Sequence, residues 1–222
     1  MRASRRRRCR TVDTELSTNV PVLVLDRYPP DVPSSTRLDV RREELLAELT
    51  DLFLREGFAG LSTADLAERL RCSKTTLYLV ASSKEQIVVT TVRSFFRRAA
   101  ERIEARVAAS DDPVTRIRLY LDGVAAELDP ATQAFHRDLA AFAPAAQVYR
   151  ENTLHAARRV QELVAAGVAA GALRPAHTGF VGAAVTEVMT AIQRGDVAAA
   201  TGLTDAEAYR ELVDLVLSGL AV

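Results

Sequence analysis

The sequence predicts an all-α fold, and three observations carry that prediction. From Arg37 onward, apolar residues recur at spacings of three, four and seven, the period of a helix with one buried face. Hydroxyl and carboxyl residues that cap helix N-termini stand just ahead of these runs. No stretch shows the two-residue alternation of a strand, and there is no internal repeat. With 222 residues, 48% of them hydrophobic and 26% charged, the chain has the composition of a globular helical protein and the length of one or two domains.

Residues 1–36 stand apart. MRASRRRRCR is dense in arginine, and the prolines at 29, 30 and 33 break helices, so a disordered basic arm is predicted. It reads either as a flexible tail, or a start placed too far upstream, or as an arm whose clustered arginines bind nucleic-acid phosphates or the minor groove.

The first helix runs from Arg37 to near Gly57 on Leu38, Leu45, Leu46, Leu49, Leu52 and Phe53. Ser62 opens a short second helix, Asp65 completes a capping box with it, and Leu66, Ala67 and Leu70 face inward until the helix stops near Arg71. A third helix starts after Ser73, another good N-cap, and carries Lys74 to Tyr78. Two short helices joined by a turn of about three residues outline a helix-turn-helix. Ser83 to Gln86 read as a capping box for a long fourth helix, with Ile87, Val88, Val92, Phe95 and Phe96 inside, ending near Ala108. Asp112-Pro113 then opens a helix over 114–128, and others follow over 131–142 and 145–169. After a break from Gly171 to Pro175 come helices over 177–193 and 205–220, the last capped by Thr204 with Glu207. The expected organisation is the arm (1–36), a three-helix DNA-binding domain (37–82) and a larger helical domain for ligand binding and dimerisation (83–222).

The zero net charge hides a division along the chain. Residues 1–98 hold 18 Arg/Lys against 13 Asp/Glu, and residues 99–222 hold 11 against 16. A basic front and an acidic rear suit a protein that touches DNA at one end. A recognition helix needs short or flexible polar residues at its N-terminal end, where it meets base edges in the major groove, and Lys74, Thr75 and Thr76 stand there.

The segments Leu61-Ser62-Thr63-Ala64-Asp65-Leu66-Ala67, Cys72-Ser73-Lys74-Thr75-Thr76-Leu77-Tyr78 and Ser83-Lys84-Glu85 closely resemble, in order and spacing, the N-terminal signature of the tetracycline-repressor (TetR) family. The motif resemblance covers about residues 41–92. Beyond it only length, helical layout and the Gly-Ala-Leu-Arg-Pro turn are similar. The resemblance implies that Thr63 and Tyr78 contact phosphates, and that Lys84 does the same at the start of the fourth helix with help from the helix dipole. Two departures matter. Arg71-Cys72 replaces the usual glycine and aliphatic residue of the turn, so Arg71 either adds a phosphate contact or strains the turn, and Cys72 is read as a small buried hydrophobe. Leu79-Val80-Ala81 replaces aromatic or histidine residues, which removes possible backbone contacts.

Other chemistry finds little support. Cys9 and Cys72 lack the paired spacing of a disulfide framework or a zinc site. His136, His155 and His177 form no metal-ligand pair, and no phosphate loop or nucleophile motif occurs, so neither enzyme, metal nor cofactor is expected. No apolar run is long enough for a membrane span, which points to the cytoplasm. One reader covers few base pairs, so a homodimer through the last two helices is expected, with Phe180 to Ile192 and Leu212, Val213, Leu215, Val216 and Leu217 as its face. A small apolar or amphipathic effector is expected within residues 114–168, among Leu119, Tyr120, Phe135, Phe142 and Tyr149, oriented by His136 and Asn152. The function expected is a repressor released from a palindromic operator by that effector. The alternatives are a TetR-like interaction protein and a constitutive repressor.

Overall fold

The computed structural model describes residues 37–222, so the basic arm lies outside the described residues. Among the described residues there are ten helices: α1 (Arg37–Glu56), α2 (Thr63–Arg69), α3 (Lys74–Leu77), α4 (Lys84–Val107), α5 (Pro113–Leu128), α6 (Gln133–Ala141), α7 (Ala143–Ala169), α8 (Thr178–Gln193), α9 (Asp196–Thr201) and α10 (Asp205–Leu220). The all-α expectation holds, with no strand among the described residues.

Caps set most boundaries. Ser62 and Asp65 close a reciprocal box on α2, and Thr204 and Glu207 do so on α10. At α4 only half of the expected box forms: Ser83 accepts Gln86 N–H, while the Gln86 amide oxygen accepts from Ser82 Oγ at 2.6 Å instead. Thr132, rather than Ala131, stands just ahead of α6 as its cap, and α7 begins at Ala143, with Pro144 in its first turn. His177 is the cap of α8, its Nδ1 accepting Phe180 N–H at 3.1 Å. The short α9 was not expected, because Gly195 and Gly202 at its two ends read as a loop.

Helix α1 buries Leu45, Leu46, Leu49, Leu52 and Phe53. Each contributes about 1.5–3 kcal/mol by leaving water. Long α4 packs on α1 through one part of its length and on α5 and α7 through another, burying Ile87, Val92, Phe95, Phe96, Ile103 and Val107. Gly123 lets α5 pass close to α4, where any Cβ would press on Ile103. The remaining large contacts join α5 to α10 and α7 to α8.

Candidate nucleic-acid interface

Helices α2 and α3 are held by Leu66, Ala67, Leu70 and Leu77, which lie in the same apolar cluster as the α1 leucines. The turn between them follows from hydrogen bonding: Arg71 N–H reaches Glu68 O at 3.0 Å and Cys72 N–H reaches Ala67 O at 2.9 Å, the pattern that ends a helix with a left-handed residue. That residue is Arg71, at φ +48°, the one non-glycine residue with positive φ among the described residues. The strain anticipated from the missing glycine is therefore present, at about 1–2 kcal/mol. Cys72 is half-buried against the core, and burial pushes its thiol up. Val80 is buried, while Leu79 and Ala81 are half-buried, so these departures from the family pattern serve packing.

Thr63, Lys74 and Lys84 are the opening residues of α2, α3 and α4. A cation at a helix N-terminus adds to the positive end of the macrodipole, an arrangement that favours a phosphate more than it favours the helix. Lys74, Thr75 and Tyr78 are exposed, Tyr78 to 45%. Thr63 and Thr76 are half-buried, and the Thr76 hydroxyl is bonded to Ser73 Oγ at 2.8 Å. Lys84 is engaged locally, its Nζ donating to Ala59 O at 3.0 Å.

The charge is distributed to suit this surface. Residues 37–98 keep only 11 Arg/Lys against 9 Asp/Glu. Several of those arginines are neutralised: Arg69 by Glu56, Arg41 by Glu44 and Glu48, and Arg98 by Glu43. Arg71 and Lys74 form no ion pair among the described residues, which leaves two uncompensated cations at the turn and the start of α3.

The residues expected around an effector are placed less uniformly. Phe135, Phe142 and Tyr149 belong to an aromatic seam: Phe58 meets Phe53, Phe135 and Phe142 at ring separations of 5.4, 6.3 and 6.3 Å, and Tyr149 stacks on Phe96 at 5.3 Å. Tyr120 is buried on α5 near the ion pair of Glu104 and Arg159, and burial raises its hydroxyl well above the usual range. Leu119 and Asn152 are half-buried. His136 on α6 faces Asp205 on α10 at 3.4 Å, and its Nδ1 has no hydrogen-bond partner among the described residues. Burial lowers the His136 pKa and raises that of Asp205, each opposed by the charge of the other. Close by, Gln193 donates to Thr153 Oγ1, and burial pushes the Tyr209 hydroxyl up to about 12. Two shallow concavities lie elsewhere, one at Asp39, Glu43 and Arg98 and one at Asp122, Asp129 and Arg210.

Two residues of consequence escaped the sequence reading. Asp138 and Thr132, in and just before α6, hydrogen-bond to the end of α1 and the turn beyond it. The one available signal was an acid between Phe135 and Leu139 on the apolar face of its helix. Among the described residues no group of three or more His, Cys, Asp or Glu is placed to hold a metal, and no helix is long and apolar enough to cross a membrane.

Two short capped helices joined by a tight turn, the second exposed and polar at its start, carried on a larger helical body, are the layout of a helix-turn-helix DNA-binding regulator. Residues 45–90 match the family described as bacterial regulatory proteins, tetR family. Three solved structures share the fold across nearly their whole lengths. A TetR-family regulator from Haloarcula marismortui is 17% identical with a TM-score of 0.65, covering 82% of this chain and 99% of its own. One from Agrobacterium tumefaciens is 17% identical with a TM-score of 0.62, covering 83% and 100%. A ketosteroid transcriptional regulator from Mycobacterium tuberculosis is 19% identical with a TM-score of 0.53, covering 86% and 97%. No curated protein matches the chain in sequence. The reader is that of the TetR family, and the body behind it has the fold of TetR-family transcriptional regulators.

Proposed function

We propose that this protein is a homodimeric repressor that binds a palindromic duplex through Thr63, Lys74, Thr75, Thr76, Tyr78 and Lys84, and that a small apolar or amphipathic molecule releases it. The observation that carries the DNA-binding part is the start of α3, where Lys74 and Thr75 are exposed and, among the described residues, neither Lys74 nor the neighbouring Arg71 has a carboxylate partner. In this reading 37–82 is the reader and 83–222 the sensing and dimerising body, both in the cytoplasm.

Dimerisation is supported by Phe180 on α8 and Leu215 on α10, which are 73% and 69% exposed on neighbouring helices. The face is narrower than the sequence suggested, since Leu212, Val213 and Leu217 are buried within the subunit. A four-helix bundle from α8 and α10 of two copies would set two recognition helices about 34 Å or somewhat more apart. The effector would enter by parting α5, α6 and α7 around Phe135, His136, Phe142 and Tyr149. The close packing of these same aromatics favours a second reading, a constitutive repressor. Selecting duplexes from a randomised pool tests the central proposal: a palindrome should be enriched, bound by a species of dimer mass in light scattering. Titrating hydrophobic compounds against that complex separates the two readings, since only an inducible repressor loses affinity.

A further inference from the structure

Helix α1 ends at Glu56, and the chain turns at Gly57, φ +75°, toward Ser62 and α2. A turn of this kind leaves amides without helical acceptors. Both are taken by one oxygen from far along the sequence: Asp138 Oδ2 accepts Phe58 N–H at 2.6 Å and Ala59 N–H at 2.8 Å. From the residue capping the same helix, Thr132 N–H and Oγ1–H both donate to Leu54 O, at 2.9 and 3.0 Å. Lys84 holds the other side of the turn through Ala59 O. A side chain at Gly57 would strike Asp138 Oδ2 and press on Ala134, so α6 lies directly against the turn. The Phe58 ring fills the space between Phe53, Phe135 and Phe142. Asp138 is itself buried, 7% exposed, and the nearest cation, Arg137 Nε, stands 3.9 Å from its other oxygen.

Only Gly60 and Leu61 lie between Ala59 and Ser62, the capping residue of α2, so whatever fixes the turn fixes where the reader begins. We propose that Asp138 is a positioning residue for DNA binding: through its carboxylate, α6 holds the 57–59 turn and thereby orients α2 and α3 without touching DNA. A shift of α6 then reaches the reader directly, in addition to any path along α4. The proposal rests on the DNA-binding reading above.

The test uses a duplex selected by the wild-type protein from a randomised pool, with an unselected random duplex as control. Asp138→Ala lowers affinity for the selected duplex at least about ten-fold, since the buried Phe58 amide and the part-buried Ala59 amide lose their shared acceptor. Binding to the random duplex changes much less, because the basic side chains remain. Asp138→Asn, whose amide oxygen can take both N–H groups, stays within about three-fold of wild type. Amide exchange at Phe58 and Ala59 quickens in Asp138→Ala and not in Asp138→Asn. Should Asp138→Ala fail to fold, Asp138→Ser decides, because its hydroxyl is too short to reach both amides and the same loss is expected. A folded alanine or serine variant with wild-type affinity overturns the proposal, as does an equal loss on both duplexes. A wild-type protein that enriches no duplex overturns the underlying reading and this proposal together.

Discussion

The reader keeps its polar contacts mostly local, whereas the body adds polar contacts that reach across the fold. In α2, α3 and the start of α4, hydroxyls and carboxylates cap helices within three residues of themselves, leaving Lys74, Thr75 and Tyr78 facing solvent. In α6 to α10 the local caps at Thr132, His177 and Thr204 are joined by polar groups that turn inward and bond across the fold, as in Asp138 to Phe58, His136 to Asp205 and Gln193 to Thr153. The first arrangement makes a stiff surface that presents chemistry to a partner. The second makes a body whose helices are locked to one another, so a displacement of one is passed on.

Paired aromatic substitutions, one at the packed junction of reader and body and one on the reader's exposed surface, test this comparison most sharply. Phe58→Ala removes a ring that is 3% exposed and shared among three aromatic partners, and should cost about 3–5 kcal/mol. Thermal unfolding should show a fall in Tm of roughly 10 °C. Tyr78→Ala removes a ring of the reader surface and should leave stability within about 0.5 kcal/mol while weakening DNA binding. Equal loss of stability in both would abolish the distinction.

The same contrast explains what the sequence made legible. Capping of α2, α3 and α10 depends on residues three apart, and the apolar faces on spacings of three and four, so both can be read locally. The clamp on the 57–59 turn joins residues 79 and 80 positions apart, and Lys84 meets Ala59 across 25, distances at which no periodic signal survives. For this reason Lys84 was legible as a helix-opening cation and not as a brace for the turn. Phe135, Phe142 and Tyr149 were legible as apolar and aromatic, but their partners in the seam were not.

Arg71 sharpens the account of the reader. Arg71→Gly relieves the positive φ while adding backbone freedom to the unfolded chain, so a net gain of about 0.5–1 kcal/mol is expected. If its guanidinium meets a phosphate, the salt dependence of DNA binding should fall by about one ion. A more stable variant with an unchanged salt slope would show that the strain serves no contact.

The smallest expected effect lies in the body. Burial holds the His136 pKa below its unfolded value of about 6.5, so the unfolded chain takes up the proton first. This contribution to stability is complete above that pH and is lost as the pH falls through it. His155, lowered by partial burial and then by Arg158, acts in the same direction. Tm measured from about pH 7.5 to 5.5 should decline, and His136→Gln should flatten the decline without abolishing it. An unchanged slope would remove His136 from the buried cluster.

The most direct test of the central claim is the affinity of Lys74→Ala for a duplex selected by the wild-type protein, measured beside single base-pair changes in each half-site. If Lys74 reads a base edge at the start of α3, the variant loses about 1–3 kcal/mol and becomes indifferent to substitution at one base pair per half-site. Wild-type affinity and undiminished discrimination at every position would contradict the assignment of α3 as the recognition helix.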